Sequence, residues 1–79
     1  MRVLFFAQAR DVAGVSETEL AVAKPLRADE LWRELTSKFP RLSALRGITR
    51  LARNGEYADD KTLFSNGDEV ALIPPVSGG

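Results

Sequence analysis

The chain has 79 residues, 44% of them hydrophobic and 28% charged, with 11 Lys and Arg against 11 Asp and Glu. That size supports one domain with one modest core, burying about 60–65% of its unfolded surface, and the even charge balance gives no general attraction to nucleic acid. The absence of Cys and His excludes disulfides, thiolate or imidazole zinc sites, a cysteine nucleophile and the commonest general base, so a carrier or binding module fits better than an enzyme acting alone.

Val3-Leu4-Phe5-Phe6-Ala7-Gln8 is rich in strand formers at its start and predicts a first strand reaching Ala9. Arg2 and Gln8 share parity with Leu4 and Phe6, which places Val3, Phe5 and Ala7 on the core face and Leu4 and Phe6 outward. The apolar run from Val3 to Ala7 is the longest in the chain and is far too short to span a bilayer; with no signal-peptide pattern at the start, a cytoplasmic protein with no membrane partner is expected. The segment from Arg10 to Ser16, with Asp11 and Gly14, reads as a hairpin loop. Glu17 to Val22 alternates with Thr18, Leu20 and Val22 inward, an antiparallel partner for the first strand closed by Lys24 and Pro25.

From Ala28 to Phe39 the spacing changes to Leu31, Leu35 and Phe39, with Trp32 alongside, a single apolar stripe of helical period. Asp29 and Glu30 sit in the first turn, where the helix dipole favours negative charge, and Pro40 stops the helix; Arg27 is a poor N-cap. Arg41 to Gly47 reads as a short second helix with Leu42 and Leu45 inward, and Ile48 to Arg53 as a third strand. Asn54-Gly55 is a strong hairpin signal, with Glu56 to Ala58 as a short return strand. Leu63 is expected to plug the core from the loop that follows, Asn66-Gly67-Asp68 turns the chain, and Glu69 to Ile73 forms the last strand with Val70 and Leu72 inward.

One amphipathic helix across a small sheet solves the burial problem for so short a chain. If the first and last strands pair centrally they run parallel, joined by a crossover that contains the helix. The result is an α+β fold, the ubiquitin-like β-grasp: a mixed sheet of about five strands, one main helix on one face, a domain over residues 1–73 and an extended tail over 74–79. Pro74 and Pro75 have fixed φ and no N–H, so the chain leaves as a stiff spacer. Val76 follows, and then Ser77, Gly78 and Gly79, a thin and uncharged tip. The Gly79 carboxylate, with no Cβ beside it at Gly78 or Gly79, is shaped to enter a narrow channel.

Val3-Leu4-Phe5-Phe6-Ala7-Gln8, followed by Arg10, and Asn66-Gly67-Asp68-Glu69-Val70-Ala71-Leu72-Ile73-Pro74-Pro75-Val76-Ser77-Gly78-Gly79 resemble the family of small, sulfur-carrying subunits of molybdopterin synthase. The resemblance implies a subunit without catalytic machinery of its own. Its Gly79 carboxylate is adenylated with ATP by a separate activating enzyme and converted to a thiocarboxylate by a sulfur donor protein. The tail then inserts into the large synthase subunit, where sulfur passes to a cyclic pyranopterin phosphate in molybdenum cofactor biosynthesis. Two small and two large subunits form the complex, and no cofactor or metal is held by the small one.

A carrier must also dock. Leu4 and Phe6 share the outer face with Ile73, Tyr57 flanks them, and this apolar patch beside the tail is the expected partner surface, continued by Pro74, Pro75, Val76 and Ser77. Arg41, Arg46, Arg50 and Arg53 lie in a span without an acidic residue; without interleaved aromatics this is a weak footprint for an acidic partner or a nucleic acid, and a solvated face is the preferred reading. Asp11, Asp59 and Asp60 read as loop residues, and adjacent acids alone are weak evidence for a metal. Other readings are a carrier for thiazole synthesis, a ubiquitin-like modifier joined to lysine amines through Gly79, and an interaction module with an idle tail.

Overall fold

Val3 and Phe5 near one end of the sequence and Val70 and Leu72 near the other carry the alternation that buries one face of a sheet. In the computed structural model, which describes residues 1–75, Val3 is the register partner of Val70 and Phe5 of Leu72, and all four side chains are buried. Strands β1 (Arg2–Phe5), β2 (Glu17–Glu19), β3 (Arg50–Arg53), β4 (Glu56–Tyr57) and β5 (Glu69–Ile73) form one sheet in the order β2-β1-β5-β3-β4. The central β1–β5 pair is parallel and the other pairs are antiparallel, the mixed β-grasp sheet expected from the element order. A parallel pair needs a long crossover, and the main helix α2 (Ala28–Lys38) lies within it.

The stripe of α2 closes the core. Leu31, Trp32 and Leu35 are buried against the inner face of the sheet, and Phe39, just past the helix, meets Phe5 edge to face with ring centroids 5.2 Å apart. Arg27 does start the helix, but Glu30 supplies the acceptor: its Oε1 takes the Arg27 backbone N–H at 3.0 Å. After Pro40 the chain continues as a 3₁₀ segment over Pro40–Ile48, with Leu42 fully buried and Leu45 half-buried. The Asn54-Gly55 turn has φ of 51° and 87°, the doubly left-handed turn that suits the twist of a two-residue hairpin.

Four expectations are corrected. The first strand ends at Phe5, because Ala7 takes φ of 49° and opens a helix, α1 (Ala7–Ala13), where a hairpin loop was expected from Arg10. Ala7 is therefore exposed and Ala9 fills the core position instead. Ala, Gln and Arg are good helix formers, and Gly14 in the left-handed region ends α1 by donating its N–H to the Arg10 carbonyl at 2.9 Å. The second strand stops at Glu19, and the chain beyond it is held by Asn66, whose side chain accepts the Val22 N–H at 3.0 Å and donates to the Val22 carbonyl at 2.8 Å. β3 begins at Arg50, which leaves Ile48 in the 3₁₀ segment and exposed.

The fourth concerns the core plug. Leu63 is 46% exposed, whereas Phe64 is 0% exposed and forms a bridge with Leu26 through two backbone hydrogen bonds of 2.8 Å. That bridge fixes the parity: if Phe64 points inward, Leu63 must point out. Just beyond it, the Asp68 carboxylate accepts the Ser65 N–H at 2.8 Å and the Asn54 side-chain amide at 3.1 Å, joining the last turn to the hairpin. The Ser65 backbone bond, followed by the Asn54 bond, holds the Asp68 carboxyl below its ordinary range.

Two outcomes follow for thermal unfolding. Phe64→Ala is expected to cost about 3–5 kcal/mol and Leu63→Ala under about 1 kcal/mol; a larger loss from Leu63→Ala reverses the parity. A carboxyl whose folded pKa is depressed stabilises the fold above its unfolded pKa, and that contribution is lost as pH falls through the folded value. The stability gap between wild type and Asp68→Ala should accordingly be full at neutral pH and narrow below about pH 4; a gap constant with pH would show that the charged form adds nothing.

Candidate functional site

The parity that sends Val3, Phe5, Val70 and Leu72 inward sends their neighbours to the face away from α2. One row across that face is read directly from the register: Leu4 opposite Ala71, Ala71 opposite Ala52, and Ala52 opposite Tyr57. Two alanines in the middle keep the row low, with larger side chains at both ends. A second row begins where Ile73 pairs with Arg50. Phe6 stands beside Ile73, since the Phe6 N–H donates to the Leu72 carbonyl at 3.3 Å and extends the parallel ladder by one bond.

Phe6 and Tyr57 are 48% and 57% exposed, while Leu4, Ala71 and Ile73 are half-buried. Leu4, Phe6 and Ile73 thus share the outer face, as the alternation predicts, and Tyr57 joins them across Ala52, but only the two aromatics project strongly. Pro74 is buried and Pro75 exposed, so contact with the fold continues one residue beyond Ile73. Val76, Ser77, Gly78 and Gly79 lie outside the described residues.

Two residues join this face that alternation in single segments did not single out. Ile48 and Arg50 line a shallow cavity of about 250 Å³ with Tyr57, Ile73, Pro74 and Pro75, beside the point where the chain leaves the sheet. The Arg50 guanidinium carbon lies 3.7 Å from the centroid of the Tyr57 ring. The Asn54-Gly55 hairpin held the signal: with Ala52 opposite Tyr57, Arg50 has the same parity and must share their face.

The opposite end of the face is closed by charge. Arg2 holds Glu17 through two hydrogen bonds, at 3.0 and 3.2 Å, and Glu69 through a third at 3.2 Å. The Glu17 carboxyl is lowered by the Arg2 hydrogen bond and then by its charge, and the Arg2 guanidinium is raised by the same partner. These groups are solvent-exposed, so their weight is in bounding the apolar surface rather than in stability.

The four arginines of the basic span do not act as one patch. Arg53 donates to the Leu63 carbonyl, Arg50 stacks on Tyr57, and Arg41 and Arg46 lie exposed on the 3₁₀ segment. Asp59 accepts the Lys61 N–H and the Thr62 hydroxyl and so closes its own turn, which also lowers its carboxyl. Asp11 and Arg10 lie on the exposed side of α1.

Comparison with known proteins adds an independent line. The model of the ThiS family matches residues 3–79. The chain is 43% identical over 82 residues to the molybdopterin synthase sulfur carrier subunit of Drosophila melanogaster, covering all of this chain and 90% of that protein. Among solved structures, small archaeal modifier protein 1 (SAMP1) from Haloferax volcanii superposes with a TM-score of 0.85 at 30% identity, covering 99% of this chain and 97% of that one. The complex of subunits 1 and 2 of molybdopterin-converting factor from Helicobacter pylori contains a chain that superposes with a TM-score of 0.68 at 25% identity, covering 99% and 96%.

The outer face makes a direct claim about folding. Phe6→Arg should leave the melting transition within about 0.5 kcal/mol of wild type, while Phe5→Ala costs about 3–5 kcal/mol. Circular dichroism melts separate the two, and a collapsed Phe6→Arg transition would mean that Phe6 belongs to the core.

Proposed function

The chain belongs to the ThiS family, and from that premise we infer that it is the sulfur carrier subunit of a molybdopterin synthase. The observation that carries the reading is a full-length match to a protein of that name, in a fold that sets an apolar sheet face beside the exit of a Pro-Pro-Val-Ser-Gly-Gly segment. The chain spans 90% of that relative's length.

Its chemistry follows from what a carboxylate lacks. A carboxylate is a poor electrophile, and accepting sulfur requires a better leaving group. An oxygen of the Gly79 carboxylate attacks the α-phosphorus of ATP and pyrophosphate departs. A sulfide-level sulfur then attacks the acyl carbon and AMP departs, leaving a thiocarboxylate. In the large subunit the thiocarboxylate sulfur attacks an electrophilic carbon of cyclic pyranopterin monophosphate and an oxygen of that carbon departs as water. A second water then cleaves the bond between sulfur and the Gly79 acyl carbon, leaving the sulfur on the acceptor and the carboxylate free for reloading. Acids, bases and phosphate-binding groups belong to the adenylating enzyme, the sulfur donor and the large subunit, so the small subunit is non-catalytic. In this scheme it holds no cofactor or metal, works in the cytoplasm where those partners and ATP meet, and assembles as two small and two large subunits.

The sheet face serves docking. Leu4, Phe6, Tyr57 and Ile73 supply the apolar contact, Pro74 and Pro75 stiffen the exit, and Val76, Ser77 and Gly78 are slim enough to follow Gly79 into a channel. The Helicobacter pylori complex supports a large-subunit partner of this kind. A second reading has its own observation: the similarity to small archaeal modifier protein 1 is compatible with Gly79 being joined to lysine amines of other proteins.

Sedimentation of this chain with the large subunit distinguishes them. A tight, non-covalent assembly is expected for wild type and a loss of at least about tenfold in affinity for Phe6→Arg. Wild type that fails to bind, together with a ladder of higher-mass conjugates surviving denaturation in cell extract, would favour the modifier.

A further inference from the structure

Two arginines stand on the outer face of the sheet, and they are held in opposite ways. Arg2 is closed off, with Glu17 and Glu69 both within 3.2 Å of its guanidinium. Arg50, register partner of Ile73, lies over the Tyr57 ring at 3.7 Å, and among the described residues no carboxylate reaches it. A guanidinium stacked on an aromatic face keeps its donors in its own plane, directed outward from the stack. It is weakly hydrated for a cation and partly fixed in orientation, which suits bidentate capture of a carboxylate.

Its location gives that fork a use. Arg50 and Tyr57 line the same shallow cavity as Ile48, Ile73, Pro74 and Pro75. A protein that covers the apolar face and receives the chain beyond Pro75 must also cover Arg50. A covered cation without an acceptor is penalised, whereas one that meets a carboxylate is favoured. Selection therefore works in both directions: attraction for the right partner and a cost for the wrong one.

We propose that Arg50, stacked on Tyr57 beside the tail exit, is a specificity determinant of this face and takes a carboxylate of the protein that docks there. The inference rests on the reading of the face as the docking surface for the large subunit, and it adds the charge that such a partner presents. It also separates Arg50 from the rest of the arginine run, since Arg53 is committed to the Leu63 carbonyl and Arg41 and Arg46 lie on the 3₁₀ segment.

The test is calorimetric affinity for the molybdopterin synthase large subunit at low and high salt, for wild type, Arg50→Gln, Arg50→Lys and Phe6→Arg, each with a melting curve. Arg50→Gln should lose about tenfold in affinity at low salt and most of the salt dependence. Arg50→Lys should fall between, retaining the salt dependence with its charge while losing the planar fork. A structural role for Arg50 alone does not separate the salt response of the Gln and Lys variants. If Phe6→Arg is impaired and Arg50→Gln binds with wild-type affinity and salt response, the inference is overturned and the docking face stands. If Phe6→Arg itself binds like wild type, the docking reading fails and takes this inference with it.

Discussion

The parallel pairing of β1 with β5 is the constraint on which the rest of the molecule depends. It joins residues 67 positions apart, Val3 with Val70 and Phe5 with Leu72, and places them at the centre of the core. Because side chains alternate with a period of two, the same register that buries those four forces Leu4, Ala71 and Ile73 to the other face. Core and candidate docking surface are thus two consequences of one alignment, and a slip of one residue would exchange them. The pairing also sets direction: β5 ends where β1 ends, so Phe6, Ile73 and Pro74 gather at one end of the sheet.

That geometry accounts for how a chain with no Cys or His can serve group transfer. On the proposed reading the domain has to present a terminus and be recognised, and that reading assigns both tasks to the outer face. The central alanines leave the face shallow, the aromatics at Phe6 and Tyr57 give it relief, and the Arg2 network bounds one end with charge already neutralised. The other end is bounded by the cation on Tyr57. A surface built in this way offers apolar contact over its middle and charge selection at its rim.

Much of this was legible in the sequence because period and turn chemistry are local signals. Val70 and Leu72, the Leu31 and Leu35 stripe and the Asn54-Gly55 turn each declare their geometry within a few residues. Helix α1 was not legible, because the apolar run from Val3 to Ala7 continues the strand pattern past Phe5, and the break is a left-handed backbone at an alanine, which no residue type there announces. Leu63 and Phe64 are adjacent apolar residues, and only the non-local bridge between Phe64 and Leu26 decides which turns inward. Arg50 looked like one of four equivalent arginines until the hairpin register set it over Tyr57. Residues whose role is fixed by distant pairing are the ones that local patterns leave open.

The central claim is that this chain carries sulfur on the carboxylate of Gly79. The most direct measurement is its intact mass after incubation with an activating enzyme, ATP and a sulfide source, beside a control lacking Gly79. A gain equal to the replacement of one oxygen by sulfur, confined to the chain that ends in Gly79, is the expected result. An unchanged mass, with the activating enzyme shown to be competent on another carrier, would contradict it.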